Sequence, residues 1–380
     1  MLARLIPAIY KLTLISLFMG LLSAPAIKML GSEKTLFSFT EKRNLAAIPA
    51  PPESLSQMDL YFSDLGTYLD DHFGFREFLI YRYQRETRKR FGTTGEETNV
   101  YQGIDNWFYF GQSEMLLDFA GKEHLTEAKL EQWAAKYRAK KQWLEQHDIQ
   151  YLLVISPDKE SVYPEFVIDS WEKFQGKSKL QQLIEAYPEI NENELLDLGS
   201  RLIKQKEEPL FYKSDTHWTP FGAYSAYLIM AEKIEQKFPS TSFKKDFTFS
   251  KLQTRQCSSK QNQCGDLTRT LLDFEPFEES FSKLLKYKRC SVIVPTDYPL
   301  TNIPEEVVRS SITSRCDQAE LKAVVFRDSF FVALEPFFSE NFKQVVYLWK
   351  EYDQNNIEEI LTVFKPDIVI EEVLERNFSL

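Results

Sequence analysis

The pattern of apolar and polar positions divides the chain into three regions. Leu12 to Ile27 is apolar apart from Thr13, Ser16 and Ser23, with Arg4 and Lys11 on its N-terminal side. As a helix this run reaches roughly 24 Å, short of a bilayer's hydrocarbon core of about 30 Å unless Leu5 to Tyr10 extend it with Lys11 snorkelling to the surface. Residues 1–30 therefore read as a signal anchor or a signal peptide. Ser23-Ala24-Pro25-Ala26 supplies small residues for cleavage, but the proline is awkward there, which favours an uncleaved anchor. Positive residues on the N-terminal side leave that end in the cytoplasm and send the bulk of the chain across the membrane.

Residues 31–120 read as an exported lead-in. Pro49, Pro51 and Pro52 disfavour regular structure, after which Leu60, Phe62, Leu65 and Leu69, then Phe78, Leu79, Ile80 and Tyr83, recur at roughly helical spacing. This predicts two helices within Leu55 to Arg90, joined by a turn at Gly74. Val100 to Phe110 predicts a hairpin about a Gly-containing Asp-Asn turn.

From residue 121 to 380, helix and strand patterns alternate. One face of a helix from Thr126 to His147 is marked by Leu130, Trp133, Ala134, Tyr137 and Leu144, and Ile149 to Ile155 follows as a continuous apolar strand. A helix near Lys177 to Tyr187, a strand near Leu195 to Leu198 and a short apolar run, Leu210 to Tyr212, continue the rhythm. Thr219 and Pro220 then form a helix start, with threonine at the N-cap and proline at the first helical position, for a helix reaching Phe238. Later come the strands Leu321 to Phe326, Gln344 to Trp349 and Asp367 to Ile370, with a helix from Asn356 to Phe364. Continuous apolar strands between helices predict an α/β domain with a mostly parallel sheet. Pro239 to Thr313 interrupts the pattern as an irregular, elaborated loop region, with a helical patch near Leu271 to Leu285 and a strand near Ser291 to Val294.

Composition refines this picture. A net charge of -10 disfavours nucleic-acid binding, which draws on clustered Lys and Arg; the short mixed run Arg82 to Arg90 reads as a solvated helix face. The four cysteines, Cys257, Cys264, Cys290 and Cys316, contain no C-x-x-C spacing, so an exported chain is expected to use them in disulfides rather than for a metal. Three pairings are open in principle, and Cys257 with Cys264 and Cys290 with Cys316 is preferred; free buried thiols are the alternative. No metal or cofactor is expected.

Candidate chemistry gathers in Ser214-Asp215-Thr216-His217-Trp218, just ahead of the helix start at Thr219. If the segment is extended, Asp215 and His217 project to one side, so a carboxylate can orient an imidazole. On the spacing alone, a satisfied structural pair is the more common outcome. Asp71-His72 is a second such pair, read as structural. A hydroxyl is supplied by Ser329, which follows the strand Leu321 to Phe326 where a side chain meets the mouth of a parallel sheet; Arg327-Asp328-Ser329 reads equally as a helix cap. By position past the Ile149 to Ile155 strand, Lys159 and Tyr163 are rim residues, or alternatively a surface lysine and a buried tyrosine.

Several segments together resemble the alginate O-acetyltransferase family of AlgJ and AlgX, whose catalytic domain is SGNH-hydrolase-like. They run in order: Glu41 to Ala46, Asp71 to Arg76, Gly103 to Tyr109, Asp158-Lys159 with Tyr163-Pro164-Glu165, Asp215-Thr216-His217-Trp218, Gly265-Asp266-Leu267, Arg327-Asp328-Ser329-Phe330, and Pro366-Asp367 with Glu375-Arg376. The resemblance implies a three-layer α/β/α domain with Ser329 as nucleophile, His217 as general base and Asp215 as its orienting partner, the Asp-x-His element preceding the serine. Arg327 stands where SGNH motifs often have glycine. Trp218, Lys159, Tyr163 and Arg327 become substrate-binding candidates. The implied function is acetyl transfer to an exported, alginate-like or other polysaccharide, with a membrane-bound O-acyltransferase supplying the acetyl group. The implied place is the inner membrane, with the catalytic domain in the periplasm, or free in the periplasm after cleavage. A carbohydrate acetylesterase and a non-catalytic polysaccharide-binding assembly component are the alternatives.

Overall fold

The computed structural model describes residues 2–31, 37–38, 43–52, 54–76, 78–80, 82–83, 86, 99–111, 113–167, 176–193, 195–259, 264–269, 271, 274–295, 311–352 and 358–378. The first two residues of the Glu41 to Ala46 segment, and most of the second lead-in helix towards Arg90, lie outside these. The chain divides into two compact units: Met1–Val100 with two short pieces between 258 and 275, and the remainder from Tyr101.

In the first unit, α1 (Leu2–Leu30) contains Thr13–Leu30, a window of mean hydropathy 1.7 with none of it buried, long and apolar enough to cross a membrane. Helix α2 (Met58–Asp71) ends at the Asp71-His72 pair. Asp71 Oδ2 accepts from the Ala46 N–H at 2.8 Å, and His72 Nε2 lies 2.9 Å from the Ala46 carbonyl oxygen. The pair thus fixes both backbone groups of one residue.

The hairpin of β1 (Val100–Gln102) and β2 (Phe108–Phe110) starts at the boundary and lies, from Tyr101 on, in the second unit. Asp105 and Asn106 take positive φ in its turn, at 52° and 60°, a conformation that short polar side chains tolerate. The hairpin belongs with the α/β unit rather than with a lead-in reaching residue 120, because Tyr109 is buried in that unit's core and its hydroxyl donates to the Tyr163 carbonyl at 2.8 Å.

The main sheet contains β3 (Gln150–Ser156), β4 (Leu195–Asp197), β7 (Val292–Val294), β8 (Ile312–Arg315), β9 (Lys322–Phe326), β10 (Gln344–Leu348) and β11 (Ile368–Leu374), in the spatial order β4-β3-β11-β9-β10-β8-β7. Strands β4 to β10 in that order are parallel neighbours, while β8 and β7 add an antiparallel edge. A second hairpin, β5 (Gln253–Cys257) with β6 (Phe277–Phe281), stands apart from it. The helical patch expected over Leu271 to Leu285 is therefore partly strand: Phe277, Glu279 and Phe281 are buried in alternation, the period of a pleated ladder.

Alternate side chains feed opposite faces of the sheet. Leu152, Val154, Val325 and Val345 pack with helix α6 (Pro220–Lys237). Tyr151, Leu153, Val324 and Val346 pack with α3 (Glu127–Gln146), α5 (Lys179–Ala186) and α7 (Glu358–Phe364). Two buried faces explain why the strands read as uninterrupted apolar runs and give the three-layer α/β/α arrangement. Both disulfides form as paired from sequence, Cys257 with Cys264 and Cys290 with Cys316.

Candidate active site

Thr219 starts α6 as the sequence pattern requires. Its Oγ1 accepts from Gly222 N–H at 3.0 Å and donates to the Pro209 carbonyl at 2.7 Å, with Pro220 in the first turn. Just before it, Phe211 and Trp218 form one antiparallel bridge and close a loop between them. This corrects the expectation of an extended segment: the loop is a turn, and Asp215 meets His217 because its Oδ1 accepts the His217 backbone N–H at 3.0 Å. Aspartate side chains commonly bond the backbone two residues on in this way.

The same oxygen lies 2.7 Å from His217 Nδ1, and His217 Nε2 lies 3.0 Å from Ser329 Oγ. With Nδ1–H donated to the carboxylate, Nε2 is left to accept from the serine hydroxyl. The imidazole is about a third exposed, so the relay is open to a substrate.

Ser329 arrives from the other side. Strand β9 ends at Phe326, after which the Asp328 N–H donates to Glu372 Oε2 at 3.1 Å and Asp328 Oδ1 accepts from the Phe330 N–H at 2.8 Å. Asp328 holds its own turn and Ser329 faces His217, while the short 3-10 helix that follows, Phe331–Ala333, starts at Phe330 with no side-chain cap, unlike the helix-cap reading. Trp218 ties the two loops together, its Nε1–H donating to the Phe330 carbonyl at 3.1 Å while the two rings meet edge to face at 5.3 Å.

A third segment braces the first. Asp215 Oδ2 accepts from the Asp266 N–H at 3.0 Å, and the Asp266 carboxylate accepts from Thr216 N–H at 2.7 Å and Thr216 Oγ1 at 2.8 Å. Ser214 Oγ accepts from Gly265 N–H at 2.8 Å and donates to buried Glu279 at 2.7 Å. A Cβ on Gly265 would sit 2.4 Å from the Asp215 Cβ and 2.5 Å from the Ser214 carbonyl oxygen, so only glycine lets these backbones approach. The Cys257–Cys264 disulfide anchors the brace beside that glycine.

Burial opposes ionisation of Asp215, but the hydrogen bonds and charge of His217, together with the Asp266 N–H, outweigh it and hold the carboxyl well below the usual carboxylate range. Asp215, His217 and Asp266 each bring one potential ligand atom within 4.8 Å of the others, the one such trio among the described residues. Their atoms are committed to one another and to Thr216, so the trio is a hydrogen-bonded network.

Residues 100–284 match the family ALGX, described as the SGNH hydrolase-like domain of acetyltransferase AlgX. The probable alginate O-acetylase AlgJ of Pseudomonas putida is 26% identical over 196 residues, covering 49% of this chain and 44% of that protein's own length. The chain is AlgJ/AlgX-like. Its fold is shared with Bacillus cereus PatB1, at a TM-score of 0.51 and 15% identity over 74% of this chain and 97% of that one. A second PatB1 structure, with a sulfonyl adduct, gives 0.50 and 14% over 74% and 95%.

Within this AlgJ/AlgX-like domain, the structure brings Asp215, His217 and Ser329 together and withdraws the expected rim residues. Trp218 is 2% exposed, its faces spent on Phe330 and Phe211. Tyr163 is buried, its hydroxyl accepting from the Leu210 N–H at 3.0 Å. Arg327 is buried against the Trp349 ring and pairs with Glu335 at 2.9 Å. Lys159, at the start of the short helix α4 (Lys159–Val162), is also buried and turned onto backbone carbonyls. Each is occupied by the protein itself, which corrects their reading as substrate contacts. Sequence reasoning missed the bracing role of Gly265 and Asp266; the signal was a Gly-Asp step directly after a cysteine.

Proposed function

We propose that this protein is an exported, membrane-tethered O-acetyltransferase that carries an acetyl group on Ser329 and delivers it to hydroxyls of a polysaccharide. The observation that carries the reading is the unbroken relay from Asp215 through His217 to Ser329, at 2.7 and 3.0 Å. The acetyltransferase description of the matched domain and the alginate O-acetylase among the relatives support acetyl as the group moved and a polysaccharide as the acceptor.

In the first half-reaction, His217 Nε2 takes the Ser329 proton as Oγ attacks the acetyl carbonyl carbon. The donor's acyl bond breaks, and its leaving group takes the proton back from His217. In the second, His217 deprotonates a sugar hydroxyl, whose oxygen attacks the acetyl-serine; the ester bond to Oγ breaks and Ser329 regains its proton. Asp215 holds the Nδ1–H tautomer and balances the imidazolium formed in each half.

Helix α1 is the proposed inner-membrane anchor, with the segment between it and the Val100–Phe110 hairpin as lead-in and the α/β unit in the periplasm. A periplasmic site has little access to cytosolic acetyl-CoA, so a membrane-bound O-acyltransferase is the proposed acetyl source. The test is Ser329→Ala expressed in the cell that makes the polymer. Polymer acetylation is expected to vanish while export and folding persist; normal acetyl content would refute the proposal. Water as the acceptor would make the same chemistry an esterase, which appears in vitro as acetate release undiminished by added oligosaccharide.

A further inference from the structure

We propose that Lys159 is a positioning residue for this reaction, its ammonium holding the loop backbone in the conformation that keeps Asp215 against His217. The inference rests on the acyl-transfer reading above. Lys159 is 3% exposed, and its Nζ donates to the carbonyl oxygens of Tyr212 at 2.9 Å, Lys213 at 3.2 Å and Asp215 at 2.7 Å. Three carbonyl dipoles turned on one point repel one another unless a cation sits among them, and an ammonium has three donors to give. One of the three carbonyls belongs to Asp215 itself. The clamp therefore acts on the backbone of the residue whose carboxylate orients the imidazole.

The groups facing this ammonium come from every neighbouring element. Asp215 approaches from its loop, Asp266 from the start of the short helical turn Asp266–Arg269, Glu160 from α4 itself and Glu279 from β6. The rings of Trp107 and Tyr109 close the apolar side, with Nζ 5.7 and 5.4 Å from their centroids. Burial draws the Lys159 pKa down to about 8, and the four carboxylates keep it from falling further. Burial also pushes the Glu160 carboxyl and the Tyr109 phenol up; any ionisation of Glu160 as pH rises adds charge that favours the ammonium. A neutral amine has two N–H donors and a lone pair, so one carbonyl is then left facing a lone pair. The loop is clamped below about pH 8 and loosened above it.

The experiment compares the full chain with its Lys159→Met and Ser329→Ala variants. It reads kcat and KM on 4-nitrophenyl acetate, and the pH dependence of Ser329 labelling by a sulfonyl fluoride. Expected for the unaltered protein is labelling that falls as pH rises through about 8. Expected for Lys159→Met is a loss of about 10- to 100-fold in kcat with KM within about twofold, and disappearance of that descending limb. A variant with lowered melting temperature but unchanged kcat and an unchanged limb overturns the inference. Ser329→Ala separates the two readings: if it is inactive while Lys159→Met behaves as the unaltered protein, only the Lys159 inference falls, and turnover without Ser329 overturns the acyl-enzyme reading. Should Lys159→Met fail to fold, the unaltered protein decides alone, since labelling that stays level from about pH 7 to 10 overturns the inference.

Discussion

Asp215→Asn keeps the shape of the side chain and reverses its chemistry. Asp215 Oδ1 accepts from both the backbone N–H and Nδ1 of His217, and Oδ2 accepts from the Asp266 N–H. An amide has one acceptor and one donor to place among those three N–H groups. If its NH2 takes the Oδ1 position, Nδ1 must become an acceptor, the ring proton moves to Nε2, and the imidazole donates to Ser329 instead of accepting. If its oxygen takes that position, the NH2 opposes the Asp266 N–H, leaving a part-buried donor unpaired at about 1–3 kcal/mol, and the imidazolium loses its counter-charge. The tautomer error costs about 10⁴ in rate in the serine-protease template, and the expected loss here is about 10³–10⁴ in kcat, or roughly 4–5.5 kcal/mol of barrier. The assay is burst-calibrated hydrolysis of 4-nitrophenyl acetate, with urea unfolding run alongside. Because the Asp215 pKa is lowered by folding, its contribution to stability is present above the unfolded value of about 3.9 and is lost as pH falls through the lower native value. The stability gap between the unaltered and variant proteins should therefore close at low pH. A kcat within tenfold of the unaltered protein would refute the orienting role.

Three further outcomes follow from the surroundings of the relay. Gly265→Ala forces apart backbones that leave 2.4 Å for a new Cβ, so about a 100-fold loss of kcat and about 1–3 kcal/mol of stability are expected; unchanged kcat and melting temperature would show that the brace is not needed. Replacing Cys257 and Cys264 together by serine opens a loop of sequence separation 7, which should cost about 2–3 kcal/mol in urea unfolding and lower kcat at constant KM; a fall in stability alone would uncouple the staple from the site. Burial and the nearby Asp158 charge push Glu375 up to about 8. A carboxyl raised by folding contributes stability that is full below its unfolded value of about 4.3 and lost as pH rises through 8, so Glu375→Gln should remove a decline on the order of a few kcal/mol across that window; parallel profiles for the two proteins would contradict it.

The central strands were legible because they are buried on both faces: Ile149 to Ile155 and Leu321 to Phe326 carry no polar face to disguise them. The helix start at Thr219-Pro220 was equally legible, since cap and proline each have a local cause. Leu271 to Leu285 misled, because Phe274, Phe277 and Phe281 suit a helical spacing as well as a ladder, and the choice is made by pairing with Gln253–Cys257. The site divides in the same way. Asp215 and His217 are joined by a local turn that two-residue spacing suggests, and Ser329 by its place at a strand end. Lys159 is different: its acceptors lie 53 to 56 residues downstream, and a lysine seen without them reads as solvent-exposed. Trp218 likewise looks like a sugar platform until its indole N–H is found on the Phe330 carbonyl.

The central claim is that Ser329 carries the acetyl group on its way to a sugar. The direct measurement is intact-protein and peptide mass spectrometry after rapid mixing with an acetyl ester, quenched with and without an oligosaccharide acceptor. One acetyl group is expected on Ser329, absent in Ser329→Ala, that disappears faster with the oligosaccharide present and reappears on it. Acetylated oligosaccharide formed while Ser329 stays unmodified, or formed equally by Ser329→Ala, would contradict it.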